Sequence, residues 1–120
     1  MPDVVARGRT AHLHASSALG RLPGPSGERS LALFRHGTLT VKLYAPRGHD
    51  PQTPHTLDEV YMIASGTGVF FDGTTRQPFG PGDLIFVAAG VPHHFEDFTA
   101  DLAVWVMFYG PEGGEPDTAT

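Results

Sequence analysis

Between Ser30 and Tyr109 the apolar residues come in short runs, and the gaps between runs are rich in glycine and proline. No segment sustains a helical apolar repeat for as many as about ten residues, so the pattern favours short strands and tight turns. In TLTVKLY, Leu39, Val41 and Leu43 alternate with Thr38, Thr40, Lys42 and Tyr44, the period of a strand with two different faces. LAVWVMFY is nearly all apolar, as in a strand covered on both sides. Asp72-Gly73 is a hairpin turn signal, and the prolines of APRGHDPQTP keep that segment out of helix. At least seven short strands follow from this reading, and the fold class is all-β. The pattern alone does not choose between a sandwich and a jelly roll.

The 120 residues are 40% apolar and 18% charged, enough for one core and too apolar for a disordered chain. The expected organisation is an N-terminal arm over residues 1–30, a barrel over 31–110 and a flexible tail over 111–120. The arm would pack over the barrel wall or a neighbouring subunit. Eight basic against 13 acidic residues, with no basic stripe, argue against nucleic acid as partner. No apolar run approaches the roughly 18 residues of a membrane helix. Nor does the N-terminus join a basic patch to an apolar stretch, so a soluble, cytoplasmic protein is expected. With no cysteine in the chain, any metal must be held by imidazole nitrogen and carboxylate oxygen.

His55 and Glu59 are four residues apart, which on an extended strand puts both on one face. The turn Gly90-Val91-Pro92 delivers His93 to the start of another strand. Two imidazoles and one carboxylate suit one divalent transition metal, Fe, Mn, Ni, Co or Zn, with coordination sites left open. These two stretches resemble the paired signature motifs of the cupin superfamily. His55, Glu59 and Gly66 stand at the spacing of the first motif. Gly82, Gly90 and His93 stand at that of the second, with Asp97 at its asparagine position and Ala88 at its proline. The resemblance covers about residues 31–109 and implies a double-stranded β-helix, or jelly-roll, barrel. Thr53 occupies the position of the first motif's leading histidine, so the family's three-histidine, one-glutamate set is incomplete. Gln52, His49 or water would fill the fourth position.

Around that set, Tyr61 shares the Glu59 face, and Lys42, the only lysine, lies mid-strand. With Glu59 as ligand and proton shuttle, Tyr61 and Lys42 are the candidates for acid–base work, and Lys42 could instead bind an anionic substrate. His94 falls on the opposite face from His93, and the His12-x-His14 pair has no downstream carboxylate at ligand spacing. The resemblance implies a metal-dependent enzyme of dioxygenase, isomerase or lyase type acting on a small organic molecule. The alternative is a non-catalytic small-molecule binding or sensing domain. A homodimer is expected in either case.

Overall fold

A computed structural model of the chain describes residues 4–7 and 9–116. Its elements run β1 (Val4–Arg7), β2 (Thr10–Leu13), α1 (Ala15–Leu19), β3 (Ser30–His36), β4 (Leu39–Tyr44), β5 (Asp58–Ser65), β6 (Gly68–Phe71), β7 (Arg76–Phe79), β8 (Leu84–Val87), β9 (His94–Glu96) and β10 (Ala103–Tyr109). Five strands form one sheet in the order β3-β4-β10-β5-β8, three form a second in the order β7-β6-β9, and β1 pairs with β2 alone. Every paired neighbour is antiparallel, as expected of a jelly roll.

The register decides which residues face inward. Val106 stands opposite Lys42 on β4 and Tyr61 on β5, and Phe108 stands opposite Thr40 and Glu59. Since neighbours across a sheet share a face, Lys42, Val106, Phe108, Tyr61 and Glu59 all lie on the same side. The core fills the space between the two sheets. Tyr61, Ile63, Val87, Val104 and Val106 come from the larger sheet and Phe70, Phe79 and Phe95 from the smaller. Phe95 sits at the centre, with the rings of Tyr61, Phe70 and Phe79 at 5.0, 5.2 and 5.3 Å in edge-on arrangements.

The hairpin signalled by Asp72-Gly73 joins β6 to β7. The Asp72 carboxylate accepts the backbone N–H groups of Thr74 and Thr75, which closes the loop.

Two segments are more tightly held than their composition suggests. Within the expected arm, α1 packs on β4 with Ala18 fully buried. Within the expected tail, Gly113 N–H donates to the Thr56 carbonyl at 2.7 Å and Glu115 N–H to Asp58 at 2.8 Å. Asp58 also accepts Ala89 N–H, so a buried carboxylate stitches the segment after β10 to the loop after β8. The bonds from Glu115 and Ala89 hold its pKa below the usual carboxylate range. Both ends of residues 1–120 extend past the described residues. No described helix is long and apolar enough to cross a membrane.

Candidate metal centre

His93 ends the loop before β9, Glu59 lies in β5, and His55 sits in the loop preceding β5. The strand geometry expected to align His55 with Glu59 therefore does not apply. Pro54 and Pro51 keep this stretch irregular, and the His55 carbonyl is fixed by accepting Gly90 N–H at 2.7 Å. Through that tie the loop that precedes His93 also places His55. The ligand atoms of His55, Glu59 and His93 all fall within 4.8 Å of one another.

Proton bookkeeping shows what this cluster lacks. His93 Nδ1 lies 2.8 Å from the Val91 carbonyl, which can only accept, so the neutral imidazole carries its proton there. Nε2 is then a bare lone pair, 3.0 Å from Glu59 Oε1. Two lone pairs face each other across that gap, and Oε1 is a buried atom with no hydrogen-bond partner. Glu59 and His93 are only 1% and 3% exposed, so water does not relieve the conflict. Tyr61 has a single proton to offer, and its hydroxyl lies 2.7 Å from Gln52 Oε1 and 2.9 Å from His93 Nε2. His55 Nε2 stands 3.4 Å from Gln52 Oε1 and 3.8 Å from Glu59 Oε2. Acceptors outnumber protons at a buried point, and a cation is the species that resolves such an excess. Nitrogen and oxygen donors of this kind fit a divalent transition metal.

Without a metal, a proton can take that role. Burial pulls the His93 pKa down, but the Glu59 carboxylate and the Val91 carbonyl together outweigh it and hold the pKa above the ordinary imidazole value. At His55 burial dominates and lowers the pKa, with Glu59 opposing and the charges of His93 and Lys42 assisting. A raised imidazole pKa contributes stability that is complete below the unfolded value and lost as pH rises through the folded one. The metal-free chain should thus lose this contribution on the alkaline side, where metal binding no longer competes with protons. The expected result is a zinc-induced rise in Tm that grows from about pH 5.5 to about pH 8. Differential scanning fluorimetry with and without zinc checks it, and a shift that is flat or larger in acid contradicts it.

Of the two side chains expected as alternatives to water at the fourth position, the structure brings only Gln52 beside the cluster. The carboxylate of Asp50 accepts the Gln52 side-chain N–H at 2.6 Å, which turns Oε1 towards Tyr61 and His55. His49 is exposed, bridges to Arg47, and borders a separate depression with His94 and Glu96. His94 pairs with Glu96 at 2.7 Å on the outer side. His12 and His14 stack on each other at 4.3 Å. Tyr61 is fully buried beside His93. Lys42 lines a cavity of about 180 Å³ together with Gln52, His55, Glu59, Val106 and Phe108.

Asp50 is the residue that sequence reasoning missed. It also accepts the Tyr44 hydroxyl and the backbone N–H of Phe95, the latter at 2.9 Å. One carboxylate therefore ties the Pro-rich loop to β4 and to the strand after His93. An acid in a Gly/Pro-rich loop carries no local signal of this role.

An uncharacterised Streptomyces coelicolor protein is 37% identical over 84 residues, spanning 68% of this chain and 80% of its own length. The dimethylsulfoniopropionate lyase DddQ of Ruegeria pomeroyi is 29% identical over 89 residues, 72% of this chain but 41% of the lyase. Its crystal structure superposes with a TM-score of 0.61 at 24% identity, covering 82% of this chain and 55% of that one. A cupin 2 conserved barrel domain protein from Salinispora arenicola gives a TM-score of 0.58 at 16% identity over 68% of this chain and 74% of its own. Residues 40–109 match the cupin-domain family, and with its jelly-roll sheets and its His/Glu cluster the chain belongs to that family.

Proposed function

We propose that this chain is a metal-dependent enzyme acting on a small organic molecule, with one divalent transition metal held by His55, Glu59 and His93 and with Gln52 as a fourth donor. The observation that carries the reading is the unpartnered Glu59 Oε1 facing the bare Nε2 of His93 beside an open cavity. A divalent ion held there would supply Lewis acidity towards a carbonyl, carboxylate or enolate oxygen. The protein's own contribution is positional. Burial first, and the Glu59 charge second, push the Tyr61 pKa far up. Even with a metal charge offsetting Glu59, burial favours the neutral phenol, so Tyr61 is assigned as a positioning residue whose hydroxyl donates to Gln52 Oε1 and orients it at the cluster. Val106 and Phe108 supply apolar wall.

Among dioxygenase, isomerase and lyase chemistry, the similarity to DddQ supports the lyase branch. The test is elemental analysis of the purified chain, then proton NMR of the metal-loaded protein with dimethylsulfoniopropionate and a panel of small hydroxy and keto acids. Turnover that Glu59→Ala abolishes and His94→Ala preserves supports the enzyme. Saturable binding without turnover favours the non-catalytic binding domain, a reading consistent with the mostly apolar cavity wall.

The same reading includes a homodimer. Met62, Leu84 and Phe86 are 42%, 63% and 57% exposed on the outer face of the larger sheet, an apolar strip suited to burial against a second copy. Light scattering at micromolar concentration should return twice the chain mass, and a monomer contradicts it.

A further inference from the structure

Lys42 is the one lysine of the chain, and it lies on the inner face of the larger sheet. No described side chain makes an ion pair or a hydrogen bond with its ammonium. It is half-buried and lines the same cavity as Ser30, His55, Glu59 and Val106. Lysine stems commonly run along apolar surface while the head stays in water, but here the head borders a concave site. A lone cation inside a cavity, without a carboxylate of its own, is a recognition element for an anion.

Size and distance narrow the class. Lys42 and Tyr61 flank Val106 on two successive strands, which places their backbones about 9–10 Å apart. The cavity of about 180 Å³ is small for a ligand site, so it suits a compact ligand. A phosphate dianion is normally met by arginine forks or a cradle of backbone N–H groups. No arginine lines this cavity, and the Glu59 carboxylate on its wall disfavours a second negative charge.

We propose that Lys42 is the specificity residue of the cavity and that the ligand is a short organic carboxylate. Its carboxylate is held by the Lys42 ammonium, and its other polar end is directed at the His55–Glu59–His93 cluster across two to four carbons. This rests on the proposed metal site for the identity of the second anchor, whereas the anion contact at Lys42 does not.

Isothermal titration of the zinc-loaded full chain with 4-hydroxybutanoate, which carries a single carboxylate, and with its neutral amide, 4-hydroxybutanamide, tests the assignment. The wild type is expected to prefer the acid by roughly tenfold to a hundredfold, the range of a charge-assisted contact. Lys42→Met should erase that preference with metal content unchanged, and Lys42→Arg should keep most of it. An equal preference in Lys42→Met overturns the assignment, as does a wild type that binds neither probe. The same titrations on the metal-free chain separate the two proposals. If the wild type takes up no zinc yet shows an acid preference that Lys42→Met removes, the anion site stands and the metal reading fails.

Discussion

Replacing Glu59 by glutamine is expected to reduce zinc affinity by more than about a hundredfold while leaving the metal-free chain as stable as the wild type, or more so. The two effects have one cause. Glu59 is 1% exposed, and when His93 is neutral its Oε1 faces a bare imidazole nitrogen. A buried acceptor left unpaired costs about 1–3 kcal/mol, and a buried charge raises that cost. Glutamine has nearly the same shape, removes the charge, and can turn its N–H₂ towards His93 Nε2. On the alkaline side of the raised His93 pKa, where the metal-free wild type loses that proton, the variant should therefore melt at the same temperature or a few degrees higher. Zinc should then raise the wild-type Tm and leave the variant nearly unmoved. Paired melting curves with metal analysis check this. A zinc shift in Glu59→Gln equal to that of the wild type would remove Glu59 from the site.

The opposition between stability and binding also explains which parts of the site were legible in the sequence. Residues that a barrel fold alone would not place in its interior stand out: a carboxylate in an apolar strand at Glu59, and a histidine directly after Gly90-Val91-Pro92. Strand alternation was legible too, because the β4 sequence alternates Leu39, Val41 and Leu43 with Thr40, Lys42 and Tyr44. In β10 the nearly uniform apolar run hid the facing. Val104 and Val106 turn inward while Trp105 and Met107 turn outward, and only pairing with β4 and β5 decides it. The loop 45–57 was the least legible segment. Its geometry depends on Asp50 meeting Phe95 N–H, a contact 45 residues away in sequence, so nothing local distinguishes Gln52 from His49 as a neighbour of the cluster. Ala18 was obscured for a different reason, since a single buried alanine in a five-residue helix leaves no periodic trace.

Two glycines of the cupin motifs should respond very differently to the same substitution. Gly66 has φ +91° and Gly82 has φ +89°, so alanine at either must occupy the left-handed region, at about 1–2 kcal/mol. Around Gly82 nothing lies within 4 Å of an added Cβ, and the penalty ends there. At Gly66 the chain leaves β5 of one sheet for β6 of the other and passes against the segment before β10. An added Cβ would stand 2.6 Å from Leu102 Cα and 3.0 Å from Thr99 Oγ1. Those neighbours cannot move freely. Leu102 is fully buried in the core, and Thr99 is tied to Thr67 by Thr67 N–H to its hydroxyl and by its own N–H to the Thr67 carbonyl. Overpacking against backbone adds a few kcal/mol to the conformational term, so Gly66→Ala should cost about 3 kcal/mol or more. Against a domain stability of about 5–15 kcal/mol, that is a drop in Tm of about 10 °C or more, compared with about 5 °C for Gly82→Ala. Thermal melts of the two variants side by side decide the matter. Equal losses would mean that the crossing at Gly66 yields easily, and that its place in the motif reflects backbone conformation alone rather than the close approach of Leu102.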